Sequence, residues 1–158
     1  MKHICNVILW AALGGYCLFS LINNFEDPLV DDQLVEITDE WKEDMSSIGL
    51  NGEDLLQRVD KIVVVDKIPY GLFNSKSTDD LMGRADYSTR SIYILSRKYE
   101  RAQLKALVYH ELGHYIFQLN HGDEGDVMST YISEDPNYYE ENWELILNKY
   151  LKRCKSNA

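Results

Sequence analysis

Residues 100–121 read ERAQLKALVYHELGHYIFQLNH, and the fold and chemistry of the chain are read outward from them. Leu104, Val108, Leu112, Tyr115 and Leu119 recur at helical spacing, so a long helix is expected from about Glu100 to Leu119 with one face in a core. The opposite face carries His110 and His114. Four positions apart on a helix, they stand about 40° apart around the axis, so both imidazoles can reach one metal ion without bending the backbone. Glu111 lies roughly 100° round from His110, where it can hold a metal-bound water rather than the metal. A lone histidine on such a helix is ordinarily structural. A pair at this spacing with an intervening glutamate points to zinc.

A catalytic zinc takes three protein ligands and keeps a fourth position open. His121 follows where the helix should be ending, between Asn120 and Gly122, two residues that tolerate the left-handed backbone of a sharp reversal. It is the preferred third ligand. Asp123 or Glu124 in the following loop, and Glu140, Glu141 or Glu144 further on, are its rivals. Beyond the polar stretch Gly122 to Asp126 comes Val127-Met128-Ser129, where Met128 reads either as core filler or as part of the site.

The flanking segments supply a small α+β domain. After Pro28, apolar residues from Leu29 and Val30 through Leu34, Ile37, Trp41, Met45 and Ile48 follow helical spacing up to Gly49. Leu55, Leu56 and Val59 suggest a short helix, and KIVVVD from Lys61 to Asp66 a buried strand. Asn74 to Asp80 reads as a loop. Gly83 to Tyr87 and Arg90 to Leu95 form an expected hairpin around Ser88-Thr89. A last helix is expected from Tyr138 to Lys152, with Trp143, Ile146, Leu147 and Tyr150 on one side.

HELGHYIFQLNHGDEGDVMS, residues 110–129, resembles the zinc-binding segment and Met-turn of the metzincin metallopeptidases, and more closely small bacterial metzincin-like proteins. The short strand RSIYIL ahead of the motif helix is similar as well. The resemblance covers about twenty residues closely and positions 60–155 loosely. It implies His110, His114 and His121 as zinc ligands, Glu111 as general base, Met128 as the floor under the metal, and a metzincin-like domain with a short mixed sheet, an active-site helix and a C-terminal helix. The implied activity is peptide-bond hydrolysis by a Glu-activated, zinc-bound water. The sequence departs from the family's HExxHxxGxxH pattern at one point: Phe117 stands in the place of the helix-breaking glycine, and the third histidine comes one residue later. Phe117 does not readily take positive φ, so the helix is expected to run on and turn at Asn120 to Gly122. Tyr131 reads as an exposed loop tyrosine in preference to an oxyanion donor. A peptide substrate is expected to add as a strand along Arg90 to Leu95.

Composition narrows the alternatives. A formal charge of −10 excludes a phosphate-binding basic face and with it nucleic-acid binding. Of three cysteines, Cys5 and Cys17 lie in an N-terminal apolar run, which leaves Cys154 without a bridging partner in the domain. That run, Ile4 to Ile22, holds nineteen residues without a charge, preceded by Lys2 and followed by Glu26, Asp27, Asp31 and Asp32. Its length and flanks suit a membrane anchor with the domain outside the cytoplasm, and a cleaved signal peptide is the rival. The expected division is a segment 1–25 and a zinc metallopeptidase domain 26–158, exported and either membrane-anchored or secreted. Two other functions stay open: a membrane-tethered, non-catalytic zinc-binding or interaction module, and a zinc amidase acting on a non-protein amide.

Overall fold

The computed structural model describes residues 27–69, 82–123, 125–131, 133, 135 and 137–158. Lys61–Val65, β-branched from Ile62 onward, forms the strand β2, paired in parallel on both sides. Its neighbours are β1 (Leu29–Val30) and β4 (Ser91–Leu95), with β3 (Gly83–Asp86) antiparallel to β4 in the expected hairpin. The order β1-β2-β4-β3 makes a mixed four-stranded sheet. Four α-helices accompany it among the described residues: α1 (Val35–Ser47), α2 (Gly52–Leu56), α3 (Arg101–Phe117) and α4 (Tyr138–Ser156). The short mixed sheet, the motif helix and the C-terminal helix expected of the α+β domain are therefore present.

Three details differ from the sequence reading. Leu29 and Val30 do not open a helix. They pair with Lys61 and Ile62, and a 3-10 turn at Asp32–Leu34 intervenes, started by Asp31, whose carboxylate accepts the Gln33 N–H. The last helix runs on to Ser156, beyond the expected stop at Lys152, and buries Cys154 in the added turn. The strand expected to receive substrate, β4, lies between β2 and β3 and has no free edge. On that side of the sheet the edge is β3.

The helices meet in an aromatic core. Trp41 of α1, Tyr109 of α3 and Tyr150 of α4 are fully buried, and each polar group on them is satisfied. The Trp41 Nε1–H donates to the Tyr150 hydroxyl at 3.1 Å, and the Tyr109 hydroxyl donates to Asp44 Oδ2 at 2.7 Å. Burial pushes both phenols well above their usual range, so both hydroxyls keep their protons. Tyr109 also packs edge-on against Trp143, with ring centroids 5.2 Å apart. Thus α3 is held on one flank by α1 and α4, while Gly83 and Ala85 of β3 lie along the Glu111 side chain.

Among the described residues no helix is long and apolar enough to cross a membrane. The apolar run Ile4 to Ile22 and the loop Asn74 to Asp80 lie outside the described residues.

Candidate metal centre

Helix α3 starts where the Glu100 N–H donates to Gln103 Oε1 at 3.1 Å and ends at Phe117. Gln118 then adopts the left-handed conformation, φ 53° and ψ 34°. Its N–H donates to the His114 carbonyl at 3.0 Å, and the Leu119 N–H donates to the Gly113 carbonyl at 3.2 Å. The reversal expected at Asn120 to Gly122 therefore occurs earlier, at a residue without glycine's freedom, because these two bonds and the packing of Phe117 and Leu119 hold it there.

The early turn folds the chain back over the histidine face. The Leu119 carbonyl accepts from His114 Nδ1 at 2.6 Å, and the Val127 carbonyl accepts from His110 Nδ1 at 2.8 Å. A carbonyl only accepts, so both Nδ1 atoms carry the proton and both Nε2 atoms present a bare lone pair. His114 Nε2 lies 2.9 Å from His110 Nε2 and 3.2 Å from His121 Nε2. Burial pushes His110 down to about 4, and His114 is lowered by the same cause, so near neutrality a shared proton does not relieve the facing lone pairs. A common cation would. Nitrogen ligands at 2.0–2.1 Å in a tetrahedral shell stand roughly 3.3 Å apart, close to the two distances that His114 Nε2 keeps from its neighbours.

Among the described residues, His110, His114 and His121 form a group able to hold a metal ion, with ligand atoms within 4.8 Å of one another. Two of the rings are half-buried and His121 is exposed. The rival ligands are not with them: Asp123, Glu140, Glu141 and Glu144 are exposed and outside the cluster, and Glu124 lies outside the described residues.

Glu111 sits apart from the three nitrogens, facing the sheet edge. It is 5 % exposed, its carboxyl lies against the α-carbon of Gly83, and the Ala85 N–H donates to it. Burial pushes this carboxyl up to about 8, with the Ala85 N–H pulling the other way. Such a group can take and return a proton near neutral pH. Close by, the exposed Tyr87 donates its hydroxyl to the His114 carbonyl at 2.6 Å and stacks on Tyr115. Met128 is fully buried beneath α3, its Sδ so close to Gly113 that a β-carbon there would fall 2.6 Å from it. Tyr131 is 79 % exposed.

Sequence reasoning missed Gly83, whose missing side chain makes room for Glu111, and Ala85, which contributes only its backbone. A glycine opening a short strand was a weak cue for the first, and the second left no trace in the sequence. Compared with family models, with curated proteins and with solved structures, the chain matches none of them.

Proposed function

We propose that this chain is a zinc-dependent metallopeptidase of metzincin-like build, in which His110, His114 and His121 hold the metal and Glu111 moves the proton. One observation carries the reading: three imidazole Nε2 atoms converge, and in two of them a backbone carbonyl on Nδ1 sets the tautomer that leaves Nε2 free to ligate. Bound there, Zn²⁺ would supply Lewis acidity toward a peptide carbonyl and water that ionises near neutral pH. Zinc is favoured over harder cations because an all-imidazole donor set suits it and disfavours magnesium or calcium.

The chain's own groups do the rest. Glu111, raised toward neutrality by burial, accepts a proton from attacking water and returns it to the departing amine. Gly83 and the Ala85 N–H keep its carboxyl in one place, so no reorientation is needed at the moment of transfer. The metzincin likeness is supported by the helix end. In the family pattern the breaking glycine stands three residues before the third histidine. Here Gln118, the left-handed residue, stands three residues before His121, so the one-residue insertion shifts turn and ligand together. A merely metal-binding module has no use for a carboxyl held in a place that disfavours its charge. The apolar run Ile4 to Ile22 leads us to place the activity outside the cytoplasm.

The test is metal content and turnover together. The purified chain should carry about one zinc and cleave quenched peptide substrates until a chelator is added. Glu111→Gln should keep the zinc and lose cleavage by about 10²-fold or more. Full cleavage by that variant would end the peptidase reading, whereas a parent chain that refuses zinc would end the metal reading.

A further inference from the structure

We propose that Arg153, on the C-terminal helix, is the positioning residue for the third metal ligand, clamping the chain on both sides of His121. The inference rests on the metal site proposed above.

His110 and His114 are each oriented by a backbone carbonyl on the ring. Among the described residues no such carbonyl holds His121, and its ring is exposed. Its place is therefore set by the backbone that carries it, the segment from Asn120 to Gly122 that follows the reversal at Gln118. Arg153 reaches that segment from α4. Its Nη2–H donates to the carbonyl of Asn120, the residue before His121, at 2.6 Å. Its Nη1–H donates to Asp126 Oδ2 at 2.8 Å. Gly122, the residue after His121, lies on that ion pair: a β-carbon there would stand 2.5 Å from Nη1 and 2.8 Å from Oδ2.

The other Asp126 oxygen accepts the Met128 N–H at 3.1 Å, and the Met128 carbonyl accepts the Gly122 N–H at 2.7 Å. Val127, between those two residues, supplies the carbonyl that orients His110. One guanidinium thus joins the segment carrying His121 to the segment that orients His110. The pair is partly sheltered, with side-chain exposures of 29 % for Arg153 and 11 % for Asp126, so it is less screened than a surface pair. The planar fork sets two separate nitrogens on the two acceptors at a fixed spacing, whereas a lysine would bring a single nitrogen to serve both.

The full chain is titrated with zinc against a chromogenic chelator, alongside Arg153→Met, Arg153→Lys, Asp126→Asn, His121→Ala and the Arg153→Met/His121→Ala double variant. Arg153→Met should weaken zinc binding about 10- to 100-fold, the range for groups that orient ligands, and Arg153→Lys should recover part of the loss. In the His121→Ala background, Arg153→Met should cost nothing further, because its effect runs through that imidazole. With Co²⁺ in place of zinc, the visible absorption of Arg153→Met should move toward that of His121→Ala. Unaltered zinc affinity in Arg153→Met, or a loss of equal size with and without His121, overturns the inference while leaving the metal site standing. A parent chain that binds no zinc brings both down. Should Arg153→Met fail to fold by circular dichroism, Asp126→Asn decides. It breaks the ion pair but can still accept the Met128 N–H, and undiminished zinc affinity in it overturns the inference equally.

Discussion

Glu111 keeps a carboxyl where its charge is disfavoured, and the consequence is measurable without any substrate. Its folded-state pKa, about 8, lies above the ordinary carboxylate value of 4.5. The neutral form fits the site, so the metal-free protein is at full stability below the ordinary value and loses stability as pH rises toward 8. Glu111→Gln carries no charge and still offers Ala85 an acceptor. Urea unfolding of the metal-free proteins should find the two equal near about pH 4 and the variant more stable near about pH 8, the gap growing by at most about 1.4 kcal/mol per pH unit. A gap independent of pH would mean that the carboxyl is not held in a charge-averse place. Gly83 tests the same group from the other side. A β-carbon at that position would lie 2.6 Å from Glu111 Oε1 and 2.9 Å from its Cγ, so Gly83→Ala must displace the carboxyl. Peptide cleavage should fall about 10²-fold, the cost of a misplacement near 1 Å, while zinc content stays at the parent's level because no histidine is touched.

At the scale of elements, the middle of α3 was legible and its end was not. The apolar period that set Val108 and Leu112 toward the core also set His110 and His114 on one face, and these stand as expected; Leu104 and Tyr115 are only partly buried, and Leu119 is buried beyond the helix end. Where the helix stops depends on partners the sequence does not display: the His114 and Gly113 carbonyls that take the next two N–H groups. Local propensity favoured Asn120 and Gly122, but the helix-end bonds of Gln118 and Leu119, with Phe117 and Leu119 buried in the core, put the reversal at Gln118. For the same reason β1 was misread, since two residues carry no period of their own and only β2 makes Leu29–Val30 a strand. His121 could be picked out from its flanks, but Arg153 lies far along the chain from the segment it holds. The turn yields a prediction of its own. A non-glycine residue at φ 53° is strained by about 1–2 kcal/mol, part of which glycine forfeits through its freer unfolded chain. Gln118→Gly should therefore stabilise the protein by about 0.5–1 kcal/mol in chemical denaturation with zinc affinity retained. Destabilisation would show that the Gln118 side chain does something the backbone geometry does not reveal.

For the whole molecule, the metal is expected to act as a cross-link between two parts of one folding unit. Two of the proposed ligands ride on α3, which is anchored to α1 and α4 through Tyr109, and the third rides on the segment after the helix end, which α4 holds from its other end. A cation bound to all three stabilises only the folded chain, because the unfolded chain does not keep the imidazoles together. At a free zinc concentration about a thousandfold above Kd the gain is about 4 kcal/mol, and for a domain of this size chelation should lower Tm by roughly 10 °C. The formal charge of −10 adds a general attraction for cations, so the increment must be shown to come from the site. His114→Ala should abolish it. Tyr109→Phe supplies the opposite control: it removes the bond to Asp44 and should lower the Tm of metal-free and zinc-loaded protein alike, by about 1 kcal/mol in stability, leaving the increment intact. Were the increment to shrink in Tyr109→Phe, the histidine face of α3 would be energetically continuous with its aromatic face. Metal affinity would then depend on how the helix is seated as well as on the three imidazoles.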